Sequence, residues 1–177
     1  MRKTTLTIVA TATLVGCSRR VQLPSSEPRE ISARAELSTS SRQAAGTATL
    51  TQTPNGVLIT AQLSNLPPGA HAIHVHDKGL CDAPAFETAG GHFNPGDAVH
   101  GFKQDAGPHS GDLPNFRATD NGSAQIEMFL TTATLDGAGG MLDDDGASLV
   151  VHAGPDDYTS DPAGNSGSRI ACGIIVR

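Results

Sequence analysis

Residues 54–63 read Pro-Asn-Gly-Val-Leu-Ile-Thr-Ala-Gln-Leu, and this stretch decides the fold class of the chain. From position 57 onward, every second residue belongs to the apolar set Val57, Ile59, Ala61 and Leu63. A period of two predicts a β-strand with one buried face. The Pro-Asn-Gly before the strand predicts a tight turn, and Asp120-Asn121-Gly122 predicts another further along the chain.

The rest of the chain also favours strands, and no segment of ten or more residues has a convincing helical period. We predict strands near residues 33–39, 46–53, 57–64, 71–76, 115–119, 123–130, 147–152 and 170–176. With 20 glycines, 11 prolines and no tryptophan among 177 residues, the composition favours an all-β fold, an eight-stranded antiparallel sandwich or barrel. Two long loops are left, 77–114 and 153–169, and loops of that length in a compact domain are usually functional.

The first seventeen residues have the pattern of an export signal. Met1-Arg2-Lys3 precedes a mostly apolar stretch too short to span a bilayer, which predicts a signal peptide over residues 1–16. The ending Leu14-Val15-Gly16-Cys17 resembles the bacterial lipobox, which implies cleavage before Cys17 and lipidation of its thiol. An ordinary secretory signal is the alternative. We expect residues 17–32, polar and proline-containing, to form a flexible tether, and residues 33–177 to form the domain.

Three cysteines are present. Setting Cys17 aside leaves Cys81 and Cys172, an even pair in a chain expected to reach an oxidising compartment, where a disulfide persists. Two buried free thiols are the alternative.

All seven histidines lie between His71 and His152. Six of them, together with one aspartate, form a candidate metal-binding set: His74, His76, His92, His100, His109, Asp112 and His152. Imidazole and carboxylate groups are ligands that copper and zinc accept, and seven such groups are enough for two ions if one imidazole is shared. A solvated loop that happens to contain histidines would not explain why none occurs in the first seventy residues.

The spacing of these residues fits strands and a loop. His74 and His76 are two apart on a predicted strand, so they point to the same face, while Ile73 and Val75 face the core. Alone, such a pair is a weak signal. His152 ends another strand and could add a ligand from across the sheet. The stretch 92–112 supplies the rest from a glycine-rich loop that has little apolar content, and a metal ion would order it.

Longer motifs make the chain resemble the bacterial copper/zinc superoxide dismutases from about residue 33 to residue 176. The matching motifs are His74-Val-His76, Gly90-Gly-His-Phe-Asn-Pro95, His109-Ser-Gly-Asp-Leu113, Val150-Val-His-Ala-Gly-Pro-Asp-Asp-Tyr158 and Gly164-Asn-Ser-Gly-Ser-Arg-Ile-Ala-Cys-Gly173. The resemblance implies a Greek-key barrel or sandwich. It also implies copper ligands His74, His76, His92 and His152, and zinc ligands His92, His100, His109 and Asp112, with His92 shared.

The same resemblance assigns further residues. It implies that Asp156 accepts hydrogen bonds from His74 and His100, that Cys81 and Cys172 form a disulfide, and that Arg169 and His92 take part in catalysis. Arg169 would attract superoxide, a small anion, without ever losing its own charge. His71 is left over and is interpreted as structural, hydrogen-bonded near the start of its strand.

The implied function is dismutation of superoxide by copper redox cycling, with zinc in a structural role. A periplasmic copper/zinc-binding module without this activity is the main alternative. A zinc hydrolase is disfavoured, since four protein ligands would close the zinc site. We expect superoxide as the small-molecule substrate, no nucleic-acid partner and contact with a membrane through the lipid anchor alone. A homodimer is left open, and the expected location is the bacterial cell envelope, facing the periplasm or the exterior.

The charge of the chain departs from the best-known members of that family. From Ala44 onward there are five basic residues against fifteen acidic ones, a formal net charge of minus ten. The loop 153–168 carries no lysine, although many relatives place steering lysines there. Guidance of superoxide must therefore come from Arg169, the metals and, at most, Lys78 or Lys103.

Overall fold

The structure is a computed structural model, and it describes residues 31–177. The signal peptide, Cys17 and the tether up to residue 30 lie outside these described residues.

The described residues form an all-β fold, as predicted, with one short 3₁₀ turn at Glu87–Ala89. The nine strands are β1 (Ser32–Thr39), β2 (Ala44–Thr53), β3 (Gly56–Leu63), β4 (Gly69–His71), β5 (Ile73–His76), β6 (Phe116–Ala118), β7 (Ala124–Leu130), β8 (Ser148–His152) and β9 (Arg169–Val176). No helix in the described part of the chain is long and apolar enough to cross a membrane.

One strand prediction is wrong, because 71–76 is two short strands rather than one. Strand β4 pairs with β6, whereas β5 pairs with β8. Between them the Ala72 amide donates to the carbonyl of Gly154, and the Ala72 carbonyl accepts from the His152 amide. The apolar pattern shows which residues are buried, but it cannot show that the hydrogen-bond partner changes at Ala72.

Seven strands form one antiparallel sheet in the order β5-β8-β9-β1-β2-β3-β7, and β4 and β6 form a second, two-stranded sheet. The small sheet is joined along the chain to both edges of the large one, since β4 runs into β5 and β6 turns back into β7. It therefore lies where the curled sheet would otherwise be open. This closure explains how a single sheet surrounds one core.

The core contains the apolar face that the alternating stretch predicted. Val57 and Ile59 are fully buried, and Ala61 and Leu63 are nearly so. They join one apolar cluster that also includes Ile73 and Val75. The strand with the first two candidate ligands is therefore fixed on its core side by packing.

The predicted disulfide is confirmed, and it joins Cys172 of β9 to Cys81 in the loop after β5. Their Cα atoms are 5.7 Å apart across a sequence separation of 91 residues. The cross-link holds the start of the long loop 77–114 against the strand that begins with Arg169.

Candidate metal centre

Strand β5 positions the first candidate ligands through pairing on both of its edges. On one edge, His74 lies opposite Val150 of β8. On the other edge, the Val75 amide donates to the Gly111 carbonyl at 2.9 Å, and the Phe93 amide donates to the Val75 carbonyl at 2.8 Å. Isolated bridges join His76 to His92 and His74 to Asp112. The loop therefore places two more candidate ligands beside the strand.

Strand β8 brings His152 to the same region. His152 lies opposite Arg169 of β9, next to a register shift between Val151 and His152. The His152 carbonyl is 2.8 Å from Nδ1 of His71, and Nε2 of His71 is 2.8 Å from the Pro67 carbonyl. His71, the last residue of β4, thus links the segment before that strand to the end of β8, which agrees with a structural role.

Two groups of side chains result, and each could hold one metal ion. The four-histidine group contains His74, His76, His92 and His152, and the mixed group contains His92, His100, His109 and Asp112. In each group, one candidate ligand atom per residue lies within 4.8 Å of all the others. All seven residues are buried. The structure thus brings together every residue to which the sequence assigned a ligand role, and His92 belongs to both groups.

In the four-histidine group, the hydrogen bonds on one side of each ring leave the opposite nitrogen bare. His74 Nε2 donates to Asp156 at 2.9 Å, and His76 Nδ1 donates to the Gly90 carbonyl at 3.0 Å. The Gly167 carbonyl lies 3.2 Å from Nδ1 of His152. The bare atoms are therefore Nδ1 of His74 and Nε2 of His76 and His152, which face the interior of the group.

These bare nitrogens fit a cation. His74 Nδ1 and His92 Nε2 are buried without any hydrogen-bond partner. The Nε2 atoms of His76 and His152 approach to 3.4 Å although neither has a proton to share in these tautomers. Burying unpaired lone pairs costs about 1–3 kcal/mol each, and a bound cation removes that cost. An all-imidazole set suits copper better than calcium or magnesium, which prefer oxygen.

The mixed group has the dimensions of a tetrahedral site. Asp112 Oδ1 lies 2.8 Å from His92 Nδ1, 3.1 Å from His100 Nδ1 and 3.3 Å from His109 Nδ1. A four-coordinate zinc with bonds of about 2.0–2.1 Å holds its ligand atoms about 3.3 Å apart. Asp112 Oδ2 accepts from the amides of Gly101 and His109, both at 3.0 Å, which fixes the carboxylate. The residues present therefore fit zinc.

Asp156 connects the two groups. Its Oδ2 accepts from His74 Nε2 at 2.9 Å, and its Oδ1 lies 3.1 Å from His100 Nε2, with no exposed side-chain surface on any of the three. Asn115 holds the Asp156 backbone, accepting from its amide at 2.8 Å and donating to its carbonyl at 2.8 Å. A partner of this kind sets the tautomer and the orientation of a metal-binding imidazole.

Burial and neighbouring charges separate the pKa values of these side chains. Burial, together with repulsion from neighbouring histidines, lowers the pKa of His74 to about 4, of His76 to about 2 and of His152 to about 3. Burial alone would lower the pKa of His100 as well, but hydrogen bonds to Asp112 and Asp156 raise it to about 9. Three histidines of the four-histidine group are thus neutral at pH 7, as metal binding requires.

Arg169 lies beside the four-histidine group, held by two backbone carbonyls. Its Nη1 donates to Phe86 and its Nη2 donates to Gly90, both at 2.6 Å. The Gly90 carbonyl also accepts from His76, so one oxygen joins the arginine to a candidate ligand. The Arg169 charge contributes to the low pKa values of His76 and His152. It is close enough to act on an anion at the same place.

The two lysines considered for steering are already engaged. Lys78 forms an ion pair with Asp145. Lys103 Nζ donates to the Asp157 carbonyl at 3.2 Å and lies 5.5 Å from the centre of the Tyr158 ring. This leaves Arg169 as the cation best placed to receive an anion among the three considered.

Several residues at the site could not be recognised from the sequence. The carbonyls of Phe86 and Gly90 hold Arg169, the Asn115 side chain holds Asp156, and Ser166 contacts His152. Carbonyl acceptors leave no trace in residue identity. Ser166 lies within a quoted motif, yet only the structure shows that its hydroxyl faces a histidine.

Gly164 packs against the Asp156–His100 contact, and a side chain there should weaken both metal sites. A Cβ atom at Gly164 would lie 1.9 Å from Asp156 Oδ1 and 2.7 Å from His100 Nε2. We expect Gly164→Ala to displace Asp156 and to lower copper and zinc affinity about 10- to 100-fold, the usual effect of losing such a partner. Competition with chelators measures both affinities.

The control is Gly137→Ala, because Gly137 also has a positive φ but nothing within 4 Å of its Cβ position. It should bind both metals like the wild type. Unchanged affinities in a folded Gly164→Ala protein would contradict the prediction.

The metal-free protein should lose stability in mild acid. His74, His76 and His152 stay neutral in the fold, but the unfolded chain takes up their protons below about pH 6.5. The free energy of unfolding therefore falls by up to about 1.4 kcal/mol per pH unit for each histidine as the pH falls below that value. His100 has the opposite sign, and its contribution is lost as the pH rises towards 9. Urea unfolding of the metal-free protein at pH 5 and pH 6.5 measures the difference.

His76→Gln is the informative variant, since it should reduce the acid sensitivity by removing one buried histidine. An unfolding free energy that is the same at pH 5 and pH 6.5 would refute this account of the buried rings.

A family model described as copper/zinc superoxide dismutase matches residues 44–175. Superoxide dismutase [Cu-Zn] 1 of Aquifex aeolicus is 43% identical over 150 residues, covering 83% of this chain and 89% of that protein. Superoxide dismutase [Cu-Zn] of Caulobacter vibrioides is 46% identical over 135 residues, covering 74% of this chain and 78% of that protein.

Solved structures agree on the fold. The crystal structure of a superoxide dismutase-like protein from Bacillus subtilis superposes with a TM-score of 0.76 at 35% identity, covering 80% of this chain and 96% of that one. The family match spans most of the chain, and it includes all the residues of both metal-binding groups. The chain belongs to the copper/zinc superoxide dismutase family.

Proposed function

We propose that this protein converts superoxide to dioxygen and hydrogen peroxide, with copper in the four-histidine group and zinc in the mixed group. The observation that carries the proposal is the position of Arg169. It lies opposite His152 across the β8–β9 pair and shares the Gly90 carbonyl with His76. A metal-storage site needs the histidines, but it does not need a fixed guanidinium beside them.

When bound, copper supplies the one-electron chemistry that oxidises one superoxide and reduces the next, while zinc supplies a closed structural centre. Arg169 attracts the anion and donates hydrogen bonds to it. His92 offers Nδ1 to the mixed group and Nε2, a buried atom without a partner, to the four-histidine group. We place at His92 Nε2 one of the two protons that peroxide formation consumes, and solvent supplies the other.

A copper/zinc-binding module without this activity is the second candidate. Its support is that the same fold occurs in a protein described only as superoxide dismutase-like. The fold therefore does not carry the activity by itself. The two candidates differ in what they require of Arg169, because a storage module would lose nothing if that charge were removed.

The location of the protein is part of the proposal. We place it in a bacterial cell envelope, lipid-anchored through Cys17, on the charged, apolar and small-residue order of residues 1–17. The Cys81–Cys172 disulfide supports an oxidising compartment outside the cytoplasm.

Replacing Arg169 tests the activity against mere metal binding. We expect Arg169→Glu to retain one copper and one zinc per chain, because the guanidinium is not a ligand, and to lower superoxide turnover at least tenfold. Focusing of an anion by a nearby cation is worth about 10- to 1,000-fold in association rate. Arg169→Ala should fall between the two. Pulse radiolysis with metal analysis measures both quantities.

Arg117→Glu is the matched control, because it makes the same charge change at an exposed side chain on strand β6. It should leave turnover near the wild-type rate at 0.15 M salt, where distant surface charges are largely screened. Equal turnover in wild type and Arg169→Glu, with both metals present, would favour the binding module.

Glu87 should oppose the approach of the substrate. Its exposed side chain lines, with Arg169, Ser40 and Ser168, a cavity of about 640 Å³. A carboxylate in the same cavity as the guanidinium repels superoxide, so Glu87→Gln should raise the low-salt rate and steepen its decline with salt. Glu127→Gln on β7, at the far edge of the large sheet, makes the same charge change. It should leave both the low-salt rate and its decline with salt as in the wild type. Equal salt profiles in the two variants would refute the prediction.

Cys17→Ser tests the anchor. Cells expressing the wild-type chain should carry it in the membrane fraction with a labelled lipid, and the variant should lose that label. A soluble, unlabelled wild-type protein whose N-terminus is not Cys17 would remove this part of the proposal.

A further inference from the structure

Ser166 lies between β8 and β9, and its side chain is buried against a candidate copper ligand. Only 2% of the residue is exposed. Its Oγ donates to the Ala163 carbonyl at 2.8 Å and lies 3.0 Å from Nδ1 of His152. A hydroxyl has one proton to donate, and here it is directed at the Ala163 carbonyl. The Gly167 carbonyl, which can only accept, lies 3.2 Å from the same nitrogen, so Nδ1 of His152 carries the proton and the Ser166 oxygen accepts from it.

This contact completes a pattern among His74, His76 and His152, the three histidines that belong to the four-histidine group alone. The Asp156 carboxylate holds the proton of His74, and the Gly90 carbonyl holds that of His76. For His152 the Gly167 carbonyl is one acceptor, at 3.2 Å, and the Ser166 hydroxyl is a second and closer one. Among these acceptors, Ser166 and Asp156 are the two that act through side chains and can be substituted.

His152 needs such a support because of its place in the sheet. It follows a register shift in the β8–β9 ladder, and its backbone is held by His71 rather than by regular strand pairing alone. Those contacts fix the main chain but leave rotation about the Cβ–Cγ bond and the choice of tautomer open. Among the described residues, only the Ser166 hydroxyl and the Gly167 carbonyl form hydrogen bonds with Nδ1 of His152.

We propose that Ser166 is a positioning residue for His152, and that its hydroxyl keeps the proton on Nδ1 so that Nε2 stays bare and directed at the copper position. The proposal rests on the ligand role of His152 in the proposed function. It assigns no contact between Ser166 and either the metal or the substrate.

Removal of the hydroxyl is the direct test. Ser166→Ala takes away the closer acceptor and leaves the Gly167 carbonyl, while Ala163 keeps the Ser166 amide as a donor at 3.3 Å. In ¹⁵N-labelled, zinc-loaded protein, long-range proton–nitrogen correlations report the tautomer of His152. We expect one Nδ1–H form in the wild type and a mixture of both forms in Ser166→Ala.

The second measurement is copper(II) affinity by chelator competition. We expect Ser166→Ala to weaken it about tenfold, the lower end of the usual effect, since one acceptor remains. Ser168→Ala is the control, because Ser168 is exposed two residues along the same segment. It should match the wild type in both measurements. Ser166→Thr keeps a hydroxyl and should restore the single tautomer.

A single Nδ1–H tautomer in folded Ser166→Ala, or an unchanged copper affinity, would overturn the role of Ser166. The ligand assignment is tested separately with His152→Gln. If that variant binds copper(II) as tightly as the wild type, the proposed function has failed at its ligand set, whatever the tautomer of His152 in the other proteins.

Discussion

The constraint on which the rest of this structure depends is the burial of lone pairs that face one another. Nitrogen and oxygen atoms from seven side chains converge in two groups, and two of the nitrogens have no hydrogen-bond partner. Without cations such an arrangement is unfavourable, because buried polar atoms lose their solvation. Packing around the two groups and hydrogen bonds on the opposite side of each ring hold the side chains in this arrangement. Metal ions bound in the two groups would turn this unfavourable convergence into binding energy.

The opposite sides of the rings show how the two sites are kept in register. One carboxylate, Asp156, receives a histidine from each group, and His92 belongs to both. A displacement of either group would therefore disturb the other through these buried contacts. Through these contacts, an ion in the mixed group would influence an ion in the four-histidine group without any electron passing between them.

Much of this could be predicted from the sequence, because strand alternation and ligand identity are local features. The strands of the large sheet begin and end within about two residues of their predicted limits. The cysteine count favoured the disulfide, and the family resemblance implied it. The break at Ala72 could not be predicted, since it depends on a hydrogen bond to Gly154 that lies 82 residues away. Ser166 and the Gly90 carbonyl were also beyond reach. Their roles depend on which atom of a distant histidine they meet, and no spacing rule encodes that.

The pairing of loop backbone along strand β5 has a consequence for the solution behaviour of the protein. Strand β5 is the last strand at its end of the large sheet, and its outer edge is covered by Phe93 and Gly111 of the loop 77–114. Detachment of that loop would expose a row of unsatisfied amides and carbonyls, which is a template for another chain to add a strand. Ions that held the loop in place would thereby also keep this edge of the sheet covered.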